Sequence, residues 1–277
     1  MFIQENVFVV VDPSDETHVA LQRAIITAES RKSRPKLYIF IAVDSESVDT
    51  RAVNDNLFRD GNWFEEQIQG PLKAAGLEYQ VEVSWCSEWQ KSIMKSAGRF
   101  GADVILLPVH AKSNIRRLTF SESKWELLKN AFCPVVLVRP GAKPKRKTVL
   151  AAVNFQATRE FQRELNTNIL GHGKWLADHY GADFHVVNAY LDSLHYPDRG
   201  KLVKETGLAA EKIHVKQGYT DETISAVAKE IDADVVVIGT LGQTGLAKTR
   251  RGNTAERVIS GLDVDVIVVN TEFTTGE

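Results

Sequence analysis

The chain repeats itself, and that repeat limits what it can fold into more than any other feature of its 277 residues. Gly101-Ala-Asp-Val-Ile-Leu-Leu aligns with Asp232-Ala-Asp-Val-Val-Val-Ile, so that Asp103 meets Asp234 at an offset of 131 residues. At the same offset Ile93 meets Ile224, and Cys133-Pro-Val-Val-Leu-Val meets Val264-Asp-Val-Ile-Val-Val. The apolar runs that end at Asp12 and Asn154 align at 142, so the first copy is about 11 residues longer between these points. Each copy is long enough to bury a core of its own.

Within each copy, short runs rich in Val and Ile alternate with helical patterns. The first copy predicts strands at Val7–Val11, Lys36–Val43, Tyr79–Ser84, Val104–Leu107 and Val135–Val138. The second predicts them at Thr148–Val153, Phe184–Asn188, Lys212–Lys216, Val235–Ile238 and Val266–Val269. Continuous apolar runs suit strands covered on both faces, as in a parallel sheet. Phe161, Leu165, Ile169, Leu176 and Tyr180 mark one helical stripe, although Gly171-His-Gly173 interrupts it. Each such glycine costs a helix about 1 kcal/mol, which close packing would explain. The expected fold is α/β, two tandem doubly wound units with mainly parallel five-stranded sheets. The units are set at 1–140 and 147–277. The connector Arg139-Pro-Gly-Ala-Lys-Pro-Lys-Arg-Lys147 contains two prolines and five basic residues, and is expected to be solvated.

Charge excludes several functions. Residues 1–140 carry 17 Lys+Arg and 18 Asp+Glu, and residues 141–277 carry the same numbers. Neither half has the basic bias that nucleic-acid binding needs, so no nucleic-acid partner is expected. No apolar run reaches the ~18 residues of a membrane span, and the N-terminus does not read as a secretory signal. Cys86 and Cys133 form no disulfide framework or metal spacing, and Cys133 reads as a small buried residue. A cytoplasmic location is expected. The seven histidines, His110 among them, form no metal-ligand pattern, and no catalytic motif appears.

The segment that carries chemistry runs from Asp234 to Gly261. Gly239-x-x-Gly242 is followed, after nine intervening residues, by Gly252-Asn253-Thr254. A strand ends at Ile238, glycines let the backbone approach an anion, and a helix start near Asn253 offers free N–H groups. Asn253-x-x-Glu256 reads as a capping box. Lys248, Arg250 and Arg251 lie just before Gly252. Each of these residues also has a plain structural role open to it, as turn, cap or solvated surface.

This glycine spacing, with the Ala-Glu-x-Val-Ile helix and last strand after it, resembles the nucleotide loop of the universal stress protein family. Two copies spanning nearly the whole chain resemble a tandem member. Gly-Asn-Thr-Ala-Glu in the second copy and Ser121–Leu128 in the first are similar to the E-type members. The resemblance implies that Gly239, Gly242 and Gly252 face phosphates, with Asn253 standing where a hydroxyl residue is usual and Thr254 beside it. It implies that Asn154 stands in place of an acid after the first strand, and Gln243 in place of a basic residue. Val187 stands where an apolar residue borders the base. The amide of Asn154 hydrogen-bonds without the acid's charge. The resemblance further implies a pseudo-dimer of the two domains and a role in stress survival.

The first copy departs further. After Leu107 it reads Pro-Val-His-Ala-Lys-Ser-Asn-Ile-Arg-Arg-Leu-Thr-Phe-Ser, with no glycine, so this loop is not expected to wrap a phosphate. Asp12 then reads as a turn or cap residue, and Trp85, Trp89 and Trp125 as packing residues or the lining of an apolar cavity. The function expected is a stress-response protein, not an enzyme. Its second domain would take a small ligand, a nucleotide or amphipathic anion, with room for protein partners. The cofactor is unassigned and no metal site is expected. A ligand-free scaffold and a weak nucleotide hydrolase are the alternatives.

Overall fold

A computed structural model describes residues 4–271 apart from 32, 45–60, 110–121, 142, 144 and 241–253. The strands are β1 (Asn6–Val11), β2 (Lys36–Asp44), β3 (Tyr79–Cys86), β4 (Val104–Pro108) and β5 (Val135–Val138), then β6 (Thr148–Val153), β7 (Asp183–Tyr190), β8 (Ile213–Gln217), β9 (Val235–Thr240) and β10 (Asp265–Asn270). All ten expected strands are present. The helices are α1 (Val19–Ser30), α2 (Gly61–Trp63), α3 (Gly70–Ala74), α4 (Trp89–Phe100), α5 (Glu122–Asn130), α6 (Glu160–Tyr180), α7 (Arg199–Thr206), α8 (Thr220–Glu230) and α9 (Thr254–Gly261). A π-helical stretch, Phe64–Gln69, joins α2 to α3.

The chain divides into two compact units. The first is Met1–Val109 with Val135–Pro140, and the second is His110–Pro134 with Gly141–Glu277. In the first, the order β3-β2-β1-β4-β5 is parallel throughout. In the second, the order β10-β9-β6-β7-β8 is parallel throughout. Both are doubly wound, with the strand order reversing beside the unit's first strand. The units therefore do not coincide with the sequence copies, because α5, from the first copy, belongs to the second unit.

The repeat has a mechanical reason. Asp103, just before β4, accepts the Asn6 N–H through Oδ2 at 2.7 Å. Asp234, just before β9, accepts the Lys147 and Thr148 N–H groups at 2.6 and 2.9 Å. The same aspartate thus fastens the start of each unit's first strand. The preceding helix in each copy stops at a left-handed residue: Gly101 has φ 68°, and Asp232 has φ 51°. Glycine adopts that conformation without strain, whereas Asp232 accepts a backbone cost of about 1 kcal/mol or more.

The α6 stripe packs as the spacing predicts, with Leu165, Ile169 and Leu176 buried. Gly173 does not break the helix. A Cβ there would lie 2.8 Å from the Phe184 ring and 3.4 Å from Ala151 Cβ, so the glycine serves close helix-to-sheet packing. The connector differs from expectation. Arg146 is buried and pairs with fully buried Asp265 at 2.8 Å. Lys143 bonds Asp232 at 2.6 Å and lies 3.3 Å from Asp234. This segment is bound to its unit by charge and is not simply solvated. Among the described residues, no helix is long and apolar enough to cross a membrane.

Candidate functional site

A cavity of about 1020 Å³ opens in the second unit at the C-terminal ends of β6 and β9. These are the strands at which the sheet order reverses, and open α/β sheets take ligands at that place. Its floor includes Ala152, Val153, Ile238, Gly239 and Thr240, while Thr254, Ala255 and Glu256 of α9 form one side. Leu165, Asn166 and Ile169 of α6 form another, and Tyr190 to Asp192 with His195 form the rim.

The loop after β6 is held by side-chain amides. Asn166 clasps the main chain of Asn154, accepting its N–H at 2.9 Å and donating to its carbonyl at 2.8 Å. Asn188, with no exposed surface, accepts the Phe155 N–H at 2.7 Å and donates to Gln156 Oε1 at 3.0 Å. Gln156 donates onward to the Ala189 carbonyl at 2.9 Å. Buried amides must find such partners, and here they fix the turn on which Asn154 stands. On the rim, Asp192 Oδ1 accepts from the His195 ring at 2.7 Å and from two main-chain N–H groups. The His195 ring bond holds the Asp192 carboxyl below the usual carboxylate range.

The expected site residues fall into three groups. Asn154, Gly239 and Thr254 line the cavity. Val187 is 1% exposed and belongs to the core of β7, away from the cavity wall. Gly242, Gln243, Gly252 and Asn253 lie outside the described residues, as does His110. Thr254 opens α9, where the capping pattern places a helix start. Asp12 proves to be a turn residue, its Oδ1 accepting the N–H of Ser14 at 2.9 Å and its hydroxyl at 2.5 Å. Cys133 is buried.

Gly239 has a packing reason of its own. A Cβ there would sit 2.6 Å from Leu165 Cγ. Gly239→Val is therefore expected to cost about 1–3 kcal/mol through overpacking, read as a lower unfolding midpoint in urea. An unchanged midpoint would show that Leu165 yields easily, and would leave Gly239 no packing role.

Sequence reasoning read Trp125 of α5 as a packing residue or the lining of an apolar cavity and missed Glu126 and Lys129; all three line this cavity. It also missed the clamp from Asn166 and Asn188. Asn166, beside Leu165 of the apolar α6 stripe, was the available signal for that clamp. Among the described lining residues Lys129 is the only lysine or arginine, and the same lining holds three carboxylates, Glu126, Asp192 and Glu256. Among the described residues no cluster of three or more His, Cys, Asp or Glu could hold a metal ion.

Two parallel doubly wound units, with a roomy cavity at the switch point of the second, define a tandem α/β protein of nucleotide-binding-like design. The profile of the Universal stress protein family matches residues 4–139 and again 147–270. The chain belongs to that family. It is 27% identical over 298 residues to Universal stress protein E homolog of Haemophilus influenzae, covering 95% of this chain and 96% of that protein. It is likewise 27% identical over 300 residues to Universal stress protein E of Escherichia coli K12, covering 97% and 95%. In fold it is similar to the crystal structure of a universal stress protein from Pseudomonas aeruginosa UCBPP-PA14. That match has a TM-score of 0.77 and 24% identity, and covers 96% and 93% of the two chains. A universal stress protein from Archaeoglobus fulgidus superimposes with a TM-score of 0.71 at 15% identity, covering 98% and 100%.

Proposed function

We propose that this stress-response protein binds a nucleotide, or another small anionic ligand, in the cavity of its second unit. In this reading it acts in the cytoplasm through regulation and protein contacts, without catalysis. The observation that carries this reading is the cavity's position: it opens where β6 and β9 diverge, with Gly239 on its floor and Thr254 at the start of α9. A helix start offers unpaired N–H groups and a positive dipole end to an anion. The described walls carry more carboxylates than lysines. The counter-charge for phosphates is therefore assigned to Lys248, Arg250 and Arg251, which the sequence places between Gly242 and Gly252.

The test is thermal unfolding of the full chain with and without ATP. A ligand at ten times its Kd stabilises by about 1.4 kcal/mol, which raises the Tm by roughly 3–6 °C in a unit of this size. Phosphate release over the same period should stay at the level of the buffer. An unmoved Tm at millimolar ATP would overturn the nucleotide reading, and steady phosphate release would overturn the non-catalytic one.

A further inference from the structure

Helix α5 comes from the first sequence copy, yet three of its residues stand on the wall of the second unit's cavity: Trp125, Glu126 and Lys129. Its C-terminal end is anchored there. The Asn270 side-chain amide, at the end of β10, donates to the Ala131 carbonyl just past the helix. The Asn270 carbonyl in turn accepts from Asn168 of α6 at 3.2 Å. Asn168 and Asn270 are 7% and 3% exposed, so this relay is a buried structural tie. Along α5, the Lys129 ammonium lies 5.9 Å from the Trp125 ring centroid and 3.8 Å from a Glu126 carboxylate oxygen. The helix therefore presents a flat aromatic surface and a cation together.

We propose that α5 is a ligand-contacting element of the second unit's cavity, with Trp125 covering a planar ring of the ligand and Lys129 meeting its negative charge. The inference rests on the ligand-binding reading above and deepens it. It selects ligands that combine a flat heterocycle with an anionic group, the chemistry of a nucleotide, over simple inorganic anions or purely aliphatic acids. Glu126 accounts for selectivity in the other direction. The Glu126 carboxylate lies 3.8 Å from the Lys129 ammonium, so a weakly charged ligand gains little by displacing it, whereas a polyphosphate outcompetes a single carboxylate for the ammonium. This gives the first copy a task in spite of its glycine-free loop: its own anion loop is lost, and the helix after that loop serves the other copy's site.

The experiment uses the full chain with ATP as probe, following binding by calorimetry and by tryptophan fluorescence. ATP should change the emission of the parent protein. Trp125→Phe should lose most of that change although four other tryptophans remain. Trp125→Ala should raise the Kd about tenfold through lost stacking. Lys129→Gln should do the same through its lost charge, with Lys129→Arg restoring affinity. Lys124→Gln, on the same helix but not on the cavity wall, should bind as the parent does. Circular dichroism checks that each variant is folded. If the parent binds ATP and the Trp125 and Lys129 variants bind it within twofold, α5 is no part of the site and this inference falls alone. If the parent does not bind ATP at millimolar concentration, it falls together with the reading it rests on.

Discussion

Asp265→Ala should destabilise the protein by about 3–5 kcal/mol, the largest single effect expected here. Asp265 has no exposed surface, and its partner Arg146 has only 4%. Their 2.8 Å bond joins the segment before β6 to the start of β10. Removing the carboxylate leaves a guanidinium buried and uncompensated, and such breaks are far costlier than the pair itself is stabilising. The Tyr180 ring, 5.8 Å from the guanidinium carbon, offsets only a small part of that cost. Chemical unfolding measures the loss. The double variant Arg146→Met, Asp265→Leu should recover most of it, because an apolar pair needs no desolvated charge. Equal instability of single and double variants would show that shape, not charge, is what these positions supply.

Acid is the second strong lever. His18, His185 and His214 all titrate below the ordinary histidine value of 6.5, in each case chiefly because burial penalises the cation. His18 is 6% exposed and sets its ring edge-on to Trp63 at 5.5 Å, and neither ring nitrogen has a hydrogen-bond partner. The nearby Asp12 charge opposes the shift without cancelling it. His185 and His214 share a 3.0 Å hydrogen bond across β7 and β8, which requires at least one ring to be neutral. In all three the folded state binds protons less readily than the unfolded state. Stability is therefore fully present above pH 6.5 and declines as pH falls from there towards the lowered folded values. Each group contributes a slope of at most about 1.4 kcal/mol per pH unit. Urea midpoints measured from pH 7.5 to 5 should drop, and His18→Leu should flatten the curve. A midpoint that stayed level across that range would refute the assignment.

The frame of the protein was legible because parallel strands buried on both faces leave a signature of uninterrupted Val and Ile, and all ten runs became strands. The repeated Ala-Asp before β4 and β9 was visible as well, although its reason, a carboxylate holding the first strand's amides, needed coordinates. Asn154, Gly239 and Thr254 were readable as cavity residues because each sits at a strand end or helix start, where the topology opens the sheet. Val187 was not, since period-two alternation alone does not say how far along its strand the cavity reaches. Arg146 hid among solvated neighbours, because a basic run shows its charge but not its partner 119 residues away. Lys129, and the unit whose cavity Trp125 lines, were hidden for a related reason. Sequence similarity divides the chain by ancestry, whereas packing divides it by contact, and at residues 110–134 the two divisions disagree.

That disagreement bears on how such a gene can evolve. Had the halves stayed self-sufficient, either could be lost, exchanged or swapped in order with little harm. With α5 encoded in one half and tied to Asn270 of the other, a cut at the junction would strip the second half of part of its wall. The tandem arrangement is locked in at that point, and the two halves must now be inherited together.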